Sequence, residues 1–312
     1  MRNFSYTKSA SLIAYLDQID SLRKDILLFP LSPQQELKYQ YDAKQKRIHS
    51  LLLLEQTNVP EDEIRQILSP QGKKHVSLFE PAVSAMKTAL DFLYHNWLVS
   101  NKLVVAIDIL AFYEAIFHQV ANIDVTELDS LLQYIQVHPE HPTIQAALVH
   151  ALLYGVFQQV PHYELFVPLV GTLFLYRQGY DFKRFTALEV SYAKNIPLYK
   201  SNVLLAQKES NLTFWLEYVA NLLIITLEQT YLLIKATSAI TQQQDTTFLT
   251  LTDRQKAILD LFSQPGVKWG NKQIQRQFKI SQVTASRDLS KLTEVGLIFP
   301  VGKGRSTTYL KA

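Results

Sequence analysis

Residues 281–295, SQVTASRDLSKLTEV, decide how the rest of the chain is read. Ala285, Leu289 and Leu292 fall at i, i+4 and i+7, an apolar stripe along one side of a helix. Gln282, Ser286, Arg287, Ser290 and Lys291 turn to the other side, polar and able to donate hydrogen bonds. Ser281 stands where an N-cap belongs and Gly296 where a C-cap belongs. Upstream, Asn271 to Phe278 reads as a shorter helix, tied to the first by the tight link Lys279-Ile280. Downstream, Leu297 to Pro300 and Ser306 to Leu310 read as two short strands around a basic turn, Gly302-Lys303-Gly304-Arg305.

Helix, tight link, helix and basic hairpin follow the plan of a winged helix-turn-helix, a module that reads double-stranded DNA. The charge distribution points the same way. From Leu251 onward there are eleven Lys and Arg against four Asp and Glu, a net +7, which leaves −4 for the rest of a chain whose total is +3. A basic small domain on a mildly acidic body is the footprint of a nucleic-acid module. The expected DNA contacts are Lys272, Ser281, Gln282, Thr284, Ser286, Arg287, Lys291, Lys303 and Arg305. Gln282, Ser286 and Arg287 would reach base edges, with the Arg287 fork suited to guanine O6 and N7. Thr284 and the lysines would touch phosphate, as would Arg305 in the wing. A homodimer would suit a palindromic site.

The remainder bounds the protein more loosely. At 312 residues the chain has room for about two domains, each with its own core. It contains no cysteine, so disulfides and thiolate metal sites are excluded. The first residues meet acidic side chains before any secretory-type apolar run, and charges interrupt the most apolar helices. A cytoplasmic protein with no membrane span is expected. Helical patterns run from Leu12 to Leu28, Gln35 to Leu54, and as two apolar helices between Pro81 and Val120. They continue over Val125–Gln136, Pro142–Gln158, Val167–Gln178, Phe182–Asn195, Leu198–Gln207 and Thr213–Ile234, with breaks expected at Pro161, Pro168, Gly179 and Pro197. The division expected is an N-terminal helical region over 1–95, a helical core over 96–241, a polar linker over 242–250, and the basic module over 251–312.

Two stretches resemble the Fic family, helical proteins whose active members transfer AMP from ATP to a hydroxyl of a target protein. His141-Pro142-Thr-Ile-Gln-Ala-Ala-Leu-Val-His150 is similar to the family's helix leading into its catalytic loop. Leu173-Phe-Leu-Tyr-Arg-Gln-Gly179 is similar to the end of the helix after that loop. Ser191-Tyr192, Leu198-Tyr199 and Asn211 to Tyr218 resemble downstream helices, and Leu251 to Tyr309 resembles the winged helix attached to many members. The resemblance therefore implies a mainly α fold: a Fic-like helical domain followed by a small winged helix-turn-helix.

The resemblance also places the family's signature, His-Pro-Phe-x-Asp-Gly-Asn-Gly-Arg-x-x-Arg, on Phe157 to Pro168, where nothing matches. Phe157 stands at the general-base position and cannot accept a proton. Pro161 stands at the metal-binding acid and offers no carboxylate. His162 and Glu164 replace glycines of the phosphate cradle, around Tyr163, and Leu165 and Pro168 replace the two arginines. The flap hairpin that docks targets in active members has no room between Val120 and Asp124. The family's inhibitory motif survives as a trace in Ser50 to Glu55, with the serine one place too far from its acid.

A catalytically degenerate Fic-fold body on a DNA-binding module is thus the expected function, with no cofactor and no metal. The helical body could also hold a protein partner. The alternative is a Fic-type AMP transferase with a remodelled site, using Glu164, His162 and His150 as acid or base. A metal site among His138, Glu140, His141, His150 and His162 is weighed and set aside, since only the first two histidines have useful spacing. Phe92, Tyr94, Trp97, Phe112, Tyr113 and Phe117 are expected in the core. Lys44, Lys46, Arg47 and His49 are expected on a solvated helix face.

Overall fold

The structure, a computed structural model, describes residues 4–68, 77–137, 139–186, 188–249, 251–262, 267–294, 297–301 and 307–311. The chain divides into two compact units, Met1–Leu232 and Leu233–Ala312. The first is built from helices whose starts the sequence marks. In α1 (Ala10–Leu28) the Ser9 side chain accepts from the Leu12 N–H. In α2 (Pro33–Leu54) Ser32 and Gln35 form a capping box, with Pro33 in the first turn. After α3 (Glu61–Leu68) and α4 (Glu80–Trp97), α5 (Ala106–Phe117) ends on His118 in a left-handed conformation. Asp124 then accepts from the first N–H groups of α6 (Val125–Val137), so α5 and α6 are joined without an intervening strand.

The centre of this unit is the pair α7 (Pro142–Phe157) and α8 (Tyr163–Arg177). Both are buried on every side over most of their length, the pattern of helices surrounded by other helices. They approach closely at Gly171, where an added Cβ would stand 3.5 Å from the Ala146 carbonyl oxygen. Around them pack α9 (Leu188–Lys194), α10 (Ile196–Lys208) and the first part of α11 (Thr213–Leu249). Trp215 on α11 is fully buried and donates its indole N–H to the Ala147 carbonyl at 2.7 Å. By length and composition Thr213–Ala236 could cross a membrane. The apolar face formed by Leu216, Ala220, Leu223 and Leu227 is instead spent on this packing.

Three expectations are corrected here. Pro168 does not break a helix but lies inside α8, which begins four residues earlier than its apolar pattern. Only one backbone bond is lost, in the second turn, and the ring is buried. The helix expected from Phe182 begins only at Leu188. Phe182, Lys183 and Arg184 adopt φ of 48°, 55° and 62°, a left-handed turn without a glycine, at a cost of roughly 1–2 kcal/mol per residue. The polar stretch read as a linker is helical through Leu249 as part of α11, while the division into units falls after Leu232.

The second unit holds α12 (Asp253–Asp260), β1 (Trp269–Gly270), α13 (Asn271–Phe278), α14 (Gln282–Glu294), β2 (Ile298–Val301) and β3 (Thr308–Lys311). The strands form an antiparallel sheet in the order β1-β3-β2, with Phe299 opposite Leu310 and Trp269 opposite Tyr309. The stripe Ala285, Leu289 and Leu292 is fully buried, against Ile258, Phe262, Ile274 and Ile298. Strand β1 and helix α12 were not read from the sequence; α12 starts at a Thr252–Gln255 capping box.

Candidate functional site

In the C-terminal unit the link between α13 and α14 is as tight as its sequence implies. Lys279 takes a left-handed φ of 51° and closes α13 by donating to the Gln275 carbonyl. Ser281 caps α14 by accepting from the Thr284 N–H at 3.2 Å. The Thr284 hydroxyl also lies 2.9 Å from that of Ser281, which commits it to the cap. Ser286 is exposed and takes a hydrogen bond from Asn271 of α13 at 2.7 Å. Gln282, Arg287 and Lys291 are exposed on α14, and Lys272 is exposed on α13.

One contact was missed in the sequence. Asp288, next to Arg287, is almost fully buried and turns to α12. Its two oxygens accept from Arg254 Nε at 2.6 Å and Nη2 at 3.2 Å, and Gln255 adds a third bond at 3.0 Å. The only sign in the sequence is that Asp288 lies between the apolar positions 285 and 289. Asp288 is thereby committed to Arg254, and among the described residues no carboxylate pairs with Arg287. Lys303 and Arg305 of the basic turn lie outside the described residues, as do Gly296 and His138.

In the helical unit, the positions matched to the Fic signature form the end of α7, a short turn, and the start of α8. Phe157 is fully buried, its ring 5.2 Å from that of Phe166, in a group that includes Phe112 and Tyr113. Leu165 and Pro168 are buried in α8. Pro161 is exposed, and its carbonyl accepts from the Tyr113 hydroxyl at 3.0 Å. His162 begins α8 in a left-handed conformation, stacks on Phe117, and places Nδ1 2.7 Å from Glu55 at the end of α2. Tyr163 packs on Tyr154. Glu164 pairs with Lys200 at 2.6 Å. His150 is not near this turn's surface: it is buried between Tyr192, Tyr199 and Trp215, with Nε2 2.8 Å from the Tyr199 hydroxyl. Burial pushes its pKa down to about 3, so it is a neutral packing group. His150, His162 and Glu164 are therefore each held by a separate partner.

Of the basic run on α2, Lys46 is exposed as expected, but the run as a whole is not a solvated face. Arg47 is buried and makes two bonds to Glu189 of α9, at 3.0 and 2.5 Å, and one to the Tyr176 hydroxyl at 2.6 Å. Lys44 pairs with Asp91. Of the aromatic residues of α4 and α5, Trp97, Phe112 and Tyr113 are buried, with Phe92 stacked on Phe112, while Tyr94 and Phe117 are half-buried.

Comparison with solved structures gives this fold a counterpart. The chain is similar, over 100% of its length and 98% of the other, to a crystal structure of a Fic family protein from Desulfovibrio desulfuricans G20, with a TM-score of 0.65 and 13% identity. No protein-family model and no curated protein matches the chain. The fold is thus Fic-like and mainly α.

Proposed function

We propose that this chain is a Fic-fold protein without transfer chemistry, whose C-terminal unit is a winged helix-turn-helix that binds double-stranded DNA. It would act as a DNA-binding regulator or a DNA-tethered interaction module. The observation that carries the reading is the exposed face of α14. Ser286 and Arg287 lie on it with Gln282 at its edge, and Asp288 is drawn away to Arg254. A guanidinium with no carboxylate partner among the described residues, in the first two turns of such a helix, suits major-groove readout. The net +7 of the segment from Leu251 supplies the phosphate attraction. The absence of transfer chemistry is supported by Phe157, Pro161, Leu165 and Pro168, which provide no base, no carboxylate and no guanidinium.

The test is selection of genomic DNA fragments by the purified protein at low salt, followed by a salt titration on selected and random duplexes. A site bound more tightly than random DNA, with affinity falling steeply as salt rises, is the expected result. No binding at low salt would leave the basic unit as a protein-interaction module.

A further inference from the structure

Toward the first half of α2, away from Glu55 and the α7–α8 turn, a cavity of about 400 Å³ opens between α2, α4, the end of α8 and the left-handed turn at 182–184. That volume lies in the range of small-molecule sites. Leu37, Tyr41, Leu90, Tyr94 and Tyr176 give it apolar and aromatic walls. Its charged lining is Lys44, Arg47 and Arg184 against a single carboxylate, Asp91. Two of the three cations are already engaged: Lys44 shares Asp91 with Lys87, and Arg47 is held by Glu189.

Arg184 is different. Its guanidinium carbon stands 3.8 Å over the Tyr94 ring, and it donates to the neutral Gln40 side chain at 2.8 Å. Among the described residues no carboxylate comes within ion-pairing distance of it, and Asp181 acts on it only from farther away. A guanidinium carries five N–H donors, so most remain for a ligand. The strained turn is what puts Arg184 there. It is pinned from α2 at two more points, where the Lys183 carbonyl accepts from Gln40 and its ammonium pairs with Glu36 at 2.6 Å. Backbone strain of this kind persists where neighbours over-determine it, and it gathers at ligand clamps.

We propose that this cavity binds a small organic anion carrying a flat unsaturated ring. The tyrosine walls take the ring, and Arg184 takes the carboxylate or phosphate through parallel N–H groups.

The test is isothermal titration calorimetry of the full chain with 2-naphthoate and 2-naphthyl phosphate, with 2-naphthylmethanol as the neutral counterpart. Saturable binding of at least one anion below millimolar concentration is expected, with the alcohol at least tenfold weaker. Whichever anion binds more tightly identifies carboxylate or phosphate as the preferred group. Arg184→Ala should weaken the anion at least tenfold. Leu37 is 65% exposed at the mouth, so Leu37→Glu should fold normally and also weaken it. No saturable binding by the wild type, equal binding of the alcohol, or unchanged affinity in Arg184→Ala would overturn the proposal. If circular dichroism shows Arg184→Ala unfolded, Leu37→Glu decides, and unchanged affinity in that variant overturns it.

Discussion

His162 Nδ1 lies 2.7 Å from Glu55 Oε1, which ties the C-terminal end of α2 to the residue that opens α8. The ring of His162 is stacked on Phe117 at 4.7 Å, so both faces of the contact are fixed. The two side chains are 38% and 28% exposed, and solvent screens their attraction. A double-mutant cycle with Glu55→Gln and His162→Ala should give a coupling below about 1 kcal/mol, weakening with salt. A coupling of several kcal/mol would mean that the pair is more desolvated than its exposure indicates.

Phe157 occupies the place where the family resemblance puts a general base, but it is fully buried beside Phe166. Phe157→His would set an imidazole in that aromatic group and should destabilise the helical unit by about 2–4 kcal/mol. Neither this variant nor the wild type should incorporate labelled AMP with Mg²⁺, because no anion cradle follows. Reproducible Mg²⁺-dependent labelling above a buffer control would refute the assignment.

His150 makes stability depend on pH. Its folded pKa is about 3, against about 6.5 when unfolded, so below pH 6.5 only the unfolded chain takes up the proton. The full contribution is therefore present above pH 6.5 and erodes by about 1.4 kcal/mol per unit as pH falls toward 3. Urea unfolding followed by tryptophan fluorescence should show a loss of roughly 2 kcal/mol between pH 7.5 and 5.0 from this group. His150→Gln should remove that part of the slope. An identical slope in the variant would assign it to other groups.

Arg47 and Glu189 form a buried ion pair with two further bonds, from Arg47 to Tyr176 and from Thr172 to Glu189. Removing one partner strands the other charge, so Glu189→Leu or Arg47→Met alone should cost about 3–5 kcal/mol. The double variant should recover most of it, because packed apolar groups replace the pair at little net cost. Denaturation midpoints of the three proteins check this. Additive losses would show that the pair is not the source of the cost.

Arg287→Ala should cost about 1–3 kcal/mol on a selected DNA site and little on random duplex. Lys303→Ala should weaken both alike and reduce the salt slope by about one. Equal losses on both duplexes for Arg287→Ala would remove that residue from base readout.

What could be read from the sequence was whatever is decided locally. Ser281 sits at a helix start because a hydroxyl satisfies an N–H only two or three residues away. The stripe on α14 repeats within two turns. The turn at Phe182–Arg184 was invisible because its conformation is imposed by contacts with Gln40, Glu36 and Tyr94, none of them near in sequence. Arg47 looked like surface for the same reason, its partner lying on a different helix. The burial of Asp288 had no decisive local sign, because a charged residue beside an apolar stripe is ordinarily solvated and it is Arg254 that makes the burial tolerable. The cavity beside α2 draws on four separate segments and leaves no local trace.

The separation between Arg47 and Glu189 also bears on how the chain emerges from the ribosome. The two are 142 positions apart, and Ser5 pairs with Asn211, so the N-terminal helices find their partners only near the end of the helical unit. At about 5–20 residues per second, Arg47 waits roughly 7–28 s for its counter-charge to be made. Through that interval α2 has no means of burying its arginine without penalty. The packing of α2 is thus completed late, once α9 with Glu189 has been made.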